Sequence, residues 1–304
     1  GLIKTGLYKE AFCTYKEFKA MGREPHAVVL DLLIVPLAVN GEVDEAYYLL
    51  QELTTRACVT KPNLFNFVIK GFAMEGRLED AANLFEDMPA KGVHPDIWSY
   101  NYFIEAAGKC GDLAKALKVY KEMKKVGPTP NLVTYNILIA GLCATGQDDN
   151  AFGLVSTMQE KGISPDVVTY NTFIKHLCRK QSIDKASSLL HQMVDRGSEP
   201  TVSTFSMVLD ALCRAERMKE AYSLFLVLQT RGFQVHHAVY SSLMAGLFHN
   251  GETNKALEVW DEMVKRKRNV DRIAYNVVID GLCKASRFRE ACMYFITSIE
   301  ANEE

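Results

Sequence analysis

Residues 167–201 read VVTYNTFIKHLCRKQSIDKASSLLHQMVDRGSEPT. The second half of this stretch sets Ala186, Leu190 and Met193 at i, i+4 and i+7, the stripe that one face of an α-helix buries. Gly197 and Pro200 then end it, because glycine accepts a left-handed C-cap and proline forbids continuation. The first half, from Val167, reads as another helix of about fourteen residues. Together they predict a helical hairpin.

Outward from this unit the same letters return every 35 residues. Alanine recurs at Ala11, Ala46, Ala81, Ala116, Ala151, Ala186, Ala221, Ala256 and Ala291, and a position that stays small in every copy predicts a close helix crossing. Tyr or Phe stands sixteen residues earlier, at Phe65, Tyr100, Tyr135, Tyr170, Phe205, Tyr240 and Tyr275. The closing glycines fall at Gly22, Gly92, Gly127, Gly162, Gly197 and Gly232. A strict period of hairpins predicts an all-α fold, an α-solenoid of 35-residue repeats. Whole units run 27–61, 62–96, 97–131, 132–166, 167–201, 202–236 and 237–271. Residues 1–26 form the tail of an earlier unit and 272–304 most of a later one, so a single array 1–304 is expected. The start inside a repeat predicts a piece of a longer chain, which makes the lack of a leader uninformative.

Hydrophobic residues make up 48% of the chain, yet no apolar run approaches the ~20 residues of a membrane span. Of the eight cysteines, Cys143, Cys178, Cys213 and Cys283 share one repeat column. Stacked hairpins lie ~10 Å apart, and a disulfide needs Cα atoms within about 7 Å. These thiols are therefore predicted to be small buried hydrophobes in a reducing compartment. The spacings C-x-x-C and H-E-x-x-H are absent, which removes the strong zinc signatures, and no cofactor is expected.

The run VVTYNTFIKHLCR, with Ala186, Met193, Gly197 and Pro200, resembles the pentatricopeptide repeat, as do Leu132 to Asp166 and Arg272 to Ala291. Uniform 35-residue units are similar to the P class of that family. The resemblance implies a right-handed superhelix whose first helices line a concave face and bind single-stranded RNA, one base per repeat. It also implies that the fifth residue of a repeat faces the base edge, that the last assists it, and that the second packs on the base plane.

The fifth-position residues are Asp31, Asn66, Asn101, Asn136, Asn171, Ser206, Ser241 and Asn276, and the last-position partners are Lys61, Asp96, Asn131, Asp166, Thr201, His236 and Asp271. Asparagine is a poor helix former whose amide both donates and accepts. It either reads a base or caps the first helix, a task that Thr134, Thr169 and Thr204, two residues earlier, could take instead. By the family pairing, Asn66 with Asp96 implies U, Asn101 with Asn131 C or U, and Asn136 with Asp166 U. Asn171 with Thr201 implies a weak pyrimidine, Ser241 with Asp271 G, and Asn276 a pyrimidine. Asp31 with Lys61 and Ser206 with His236 fit no usual pair. The expected core is 5′-U-(C/U)-U-pyrimidine-3′.

Base-sandwiching second-position residues are Trp98, Val133, Val168 and Ile273, with Trp98 either stacking on a base or filling a gap between hairpins. Phosphate contacts are expected at the thirteenth position, from Lys109, Arg179, Arg214 and Lys284, whereas Val39 and Met74 stand there in the first repeats. A formal charge of −2 is low for a nucleic-acid binder, although the first fourteen residues of the repeats sum to +3. Affinity should then rest on stacking and base contacts, with a shallow salt dependence. The alternative is a scaffold subunit of an organellar ribonucleoprotein, its repeats holding proteins or structured RNA. A nucleotide deaminase is excluded by the missing H-x-E and C-x-x-C pattern. The family implies an organelle, with mitochondria favoured over plastids, and no membrane partner.

Overall fold

The computed structural model describes residues 5–56, 61–230, 237–265 and 272–300. Among them are seventeen α-helices and no strand, an all-α solenoid. Eight first helices begin at the first residue of each unit: α2 (Ala27–Val39), α4 (Pro62–Met74), α6 (Ile97–Lys109), α8 (Leu132–Ala144), α10 (Val167–Arg179), α12 (Val202–Arg214), α14 (His237–His249) and α16 (Arg272–Lys284). The second helices are α1 (Tyr8–Ala20), α3 (Val43–Thr55), α5 (Leu78–Asp87), α7 (Leu113–Val126), α9 (Asp148–Glu160), α11 (Ile183–Asp195), α13 (Met218–Thr230), α15 (Thr253–Lys265) and α17 (Phe288–Glu300). The first helices are 13 residues long. Helix α5 has 10 because Pro89 has no N–H to continue the ladder and opens a 3-10 turn, Pro89–Lys91. The described residues form two compact units, divided between Pro165 and Asp166. No helix among them is long and apolar enough to cross a membrane.

The alanine column sits at the crossings. Ala46, Ala81, Ala151, Ala186, Ala221 and Ala256 are fully buried. At several junctions an aromatic contact joins the second helix of one repeat to the first helix of the next. Phe85 meets Tyr100 (5.1 Å between centroids, 76°), Phe225 meets Tyr240 (5.5 Å, 81°) and Trp260 meets Tyr275 (5.0 Å, 65°). Edge-to-face pairs of this kind add about 0.5–1.5 kcal/mol to the burial itself. At α1 and α17 the stripe is incomplete, and Phe18 and Phe295 are exposed.

Gly22, Gly92, Gly162 and Gly197 have positive φ, as the C-cap reading requires. Gly127 does not: its φ is −95°, and glycine is needed there because an added Cβ would lie 3.0 Å from the Tyr100 ring. Gly232 lies outside the described residues. A second left-handed column, unremarked in the sequence, joins the two helices of each hairpin. Glycine fills it at Gly41, Gly76, Gly111, Gly146 and Gly251, but Gln181, Glu216 and Ser286 occupy it elsewhere. Among the cysteines, Cys143 and Cys178 are buried but Cys283 is exposed, so the column is not uniformly core.

Candidate nucleic-acid interface

The last residue of a repeat is the N-cap of the following first helix. Asp96 accepts from Ser99 N (2.8 Å), Asn131 from Thr134 N (3.0 Å), Asp166 from Thr169 N (2.9 Å) and Thr201 from Thr204 N (3.3 Å). Each hydroxyl at the third helical position accepts in return from the cap residue's own backbone N–H, closing a capping box. Thr134, Thr169 and Thr204 are therefore not the caps themselves but the third-position partners of the caps. Neither do the fifth-position asparagines cap anything. The spacing signalled this arrangement: a hydroxyl recurs three residues after Asp, Asn or Thr. Lys61 starts α4 with no side-chain cap, and His26 caps α2 through Nδ1 (3.3 Å to Val28 N).

Asn66, Asn101 and Asn171 turn their side chains toward the next repeat. Asn66 Nδ2 donates to Asp96 Oδ1 (3.1 Å), while Asn101 Oδ1 accepts from Thr134 Oγ1 (2.7 Å) and Asn171 Oδ1 from Thr204 Oγ1 (2.7 Å). These bonds draw Asn66 and Asn101 almost wholly under the surface, against the expectation of side chains open to a base edge, and Ser241 is buried without such a bond. Asn136, Asn171 and Ser206 are half-buried and Asn276 is exposed. One atom on each of the three buried residues lacks a hydrogen-bond partner: Asn66 Oδ1, Asn101 Nδ2 and Ser241 Oγ. A buried polar atom left unpaired costs about 1–3 kcal/mol. His236 and Asp271 lie outside the described residues.

Second-position side chains are open: Trp98 is 49% exposed, Val133 39%, Val168 56% and Ile273 64%. Trp98 therefore fills no gap between hairpins. Its ring lies 6.2 Å from that of Tyr102, which Lys70 Nζ approaches to 5.4 Å from the centroid. Tyr102 and Lys70, missed in the sequence, are both half-buried; they continue the aromatic surface from Trp98 and set a cation beside it.

Thirteenth-position cations are exposed, but three are occupied. Lys109 pairs with Glu105 (2.6 Å), Arg214 with Asp210 (2.9 Å) and Lys284 with Asp280 (2.7 Å), each acid one turn earlier on its helix. Arg179 has Lys175 at that place, both exposed and neither with an acidic partner among the described residues. The positive charge of the first helices is thus concentrated on α10.

The PPR repeat family model matches residues 62–107, 95–144, 130–179, 165–214 and 235–284, and the PPR repeat model matches 203–233 and 273–301. No curated protein matches the chain. Among solved structures, the pentatricopeptide repeat protein PPR10 from maize is 18% identical over 98% of this chain and 62% of its own, TM-score 0.47. PPR10 in complex with an 18-nt psaJ RNA element is 20% identical over 97% of this chain and 48% of its own, TM-score 0.53. The PPR domain of Arabidopsis thaliana protein-only RNase P 1 in complex with tRNA is 16% identical over 59% of this chain and 94% of its own, TM-score 0.51. The chain thus spans less than two thirds of the PPR10 chains, and the likeness establishes the fold. With family matches covering most of its length, the chain belongs to the pentatricopeptide repeat family.

Proposed function

We propose that the chain binds single-stranded RNA, one base per repeat, at a core 5′-U-(C/U)-U-pyrimidine-3′ set by the pairs Asn66/Asp96, Asn101/Asn131, Asn136/Asp166 and Asn171/Thr201. The observation that carries this is the recurrence of unpaired buried polar atoms at the fifth position, Asn66 Oδ1, Asn101 Nδ2 and Ser241 Oγ. A protein interior leaves few such atoms, and a base that displaces the packing over them supplies the missing partner. The exposed second-position column supplies apolar planes on which bases stack. Two of the related solved structures hold RNA, an 18-nt element and a tRNA. The reading gives the chain no reaction and no cofactor; it acts by occupying a transcript in RNA processing, stabilisation or translation. An organelle is the proposed compartment, with mitochondria favoured.

Selection of bound RNA from a randomised single-stranded pool tests this. Enrichment of the U-(C/U)-U core is expected, and a chain with native circular dichroism that enriches nothing overturns the reading.

A second reading, protein contact within a ribonucleoprotein, rests on the N-terminal repeats, where Val39 and Met74 stand at the thirteenth position, and most of all on α2. There Val28, Leu32 and Val39 are each more than half exposed and no thirteenth-position cation is present.

A further inference from the structure

Building on the base-per-repeat reading, we propose that the third-position hydroxyl of the following repeat is a specificity-determining group: it fixes which end of the fifth-position asparagine amide is offered to the base.

Proton counting gives the argument. Thr134 Oγ1 accepts from Asn131 N (3.2 Å), so its single proton is left to donate. Two acceptors are in reach, Asn101 Oδ1 at 2.7 Å and Asn131 Oδ1 at 3.1 Å, and the shorter is the ordinary length of an O–H···O bond. With its carbonyl oxygen tied to Thr134, Asn101 presents Nδ2, the atom that has no partner. Thr204 holds Asn171 in the same sense, accepting from Thr201 N (3.1 Å) and donating to Asn171 Oδ1 (2.7 Å).

Ser99 works in reverse. Its Oγ donates to the Asp96 carboxylate (2.9 Å), the stronger charge-assisted acceptor. Asn66 then has no hydroxyl proton to receive. It donates Nδ2 to the same carboxylate oxygen, which only accepts, and its own Oδ1 is the unpaired atom.

The two settings match different pyrimidines. An offered amide N–H suits the N3 acceptor of cytosine and opposes the N3–H of uracil, while an offered carbonyl oxygen does the opposite. Asn101 is thereby assigned cytosine over uracil, and Asn66 uracil over cytosine. Where the third position lacks a hydroxyl, as at Leu64, Val239 and Ala274, the device is missing. The repeats that have it follow the four asparagines Asn66, Asn101, Asn136 and Asn171.

The test is Thr134→Val, which keeps the shape and the backbone N–H that Asn131 caps, with Thr134→Ser as the variant that restores the hydroxyl. Binding is measured to short RNAs differing only by C or U at the base assigned to Asn101, and separately at the base assigned to Asn66. A preference of about tenfold for C in the wild-type chain should fall to within about twofold in Thr134→Val and return in Thr134→Ser. The preference at the Asn66 base should be unchanged. An unchanged C/U ratio in Thr134→Val, or an equal loss at both bases, overturns the proposal.

In the free chain, selectively labelled asparagine reports the Asn101 side-chain amide by NMR. Its signal should move in Thr134→Val while that of Asn66 stays; a stationary signal overturns the hydroxyl's hold on the amide. A wild-type chain that binds every RNA equally, with the amide signal moving as expected, overturns the base-per-repeat reading and its consequence here but leaves the hydrogen bond established.

Discussion

Asn66 Nδ2 lies 3.1 Å from Oδ1 of Asp96, and that same oxygen accepts the backbone N–H of Ser99 at 2.8 Å. One carboxylate atom therefore caps α6 and orients the fifth-position amide of the repeat before it. The helix cap and the hold on the amide meet at a residue thirty positions downstream of that amide.

Separating these two tasks gives the first prediction. In Asp96→Asn the cap is retained, since asparagine caps as well as aspartate, and the melting temperature should move by only a degree or two. The base assigned to Asn66 should shift from U toward C. Asp96→Ala should lose both, at about 1 kcal/mol of stability for the cap. Thermal melts beside competition binding check this; a destabilised Asp96→Asn with unaltered base preference would show that Asp96 only caps.

Trp98 and Trp260 are the chain's two tryptophans, and they lie in opposite surroundings: Trp98 is half exposed, Trp260 5% exposed against Tyr275. RNA should quench Trp98 and leave Trp260 unchanged. Trp98→Ala should weaken RNA binding by about 1–3 kcal/mol, the scale of one base stacked on an aromatic. The melt should fall as well, because about half of the Trp98 surface is buried, so binding is compared well below the transition of either chain. Fluorescence titration of Trp98→Phe isolates the Trp260 signal.

Among the thirteenth-position cations, those with an acid one turn earlier have part of their charge already compensated. Arg179→Ala should therefore cost more affinity than Lys109→Ala, and should lower the slope of log K against log salt by about 0.7, one single-strand phosphate contact. Glu105→Gln releases Lys109 and should raise affinity slightly. Binding at several salt concentrations measures all three; equal effects of Arg179→Ala and Lys109→Ala would remove α10 as the focus.

How far the sequence carried depended on the chemistry of each column. Apolar and small columns were legible because burial imposes a period, as Ala186 and Tyr135 show in the core. The capping column was misread by three residues. Asp, Asn, Ser and Thr all serve as caps or as cap partners, and only the hydrogen-bond directions separate Asn131 from Thr134. Burial of Asn66 and Asn101 was hidden for the same reason: a polar letter at a helix surface gives no sign that the next repeat closes over it. The ion pair of Lys109 with Glu105 was in plain view at i, i+4, but a column read across repeats overlooks a neighbour along the helix.

Cysteine chemistry follows burial. Desolvation pushes the Cys178 thiol up to about 11 and that of Cys213 up to about 12. The thiolate is the reactive form, so at pH 8 both should react slowly with a disulfide reagent. Exposed Cys13, Cys110, Cys283 and Cys292 should react at once. Site-resolved mass spectrometry of the labelled chain, before and after denaturation, checks the order; rapid labelling of Cys178 in the native chain would mean that its repeat opens.

Gln181 sits at φ 58°, in the turn position that Gly146 and Gly251 fill in other repeats. A left-handed residue with a Cβ costs about 1–2 kcal/mol, and Gln181→Gly removes that cost. Glycine also has more freedom to lose on folding, worth roughly 0.5–1 kcal/mol. Relief of the Cβ clash is the larger of the two, so the substitution should stabilise by about 0.5–1 kcal/mol. The turn lies between α10 and α11, away from the fifth- and second-position columns, and base preference should not change. A Gln181→Gly chain with a lower melting temperature would mean that the glutamine side chain makes a stabilising contact in that turn which outweighs the strain of its backbone.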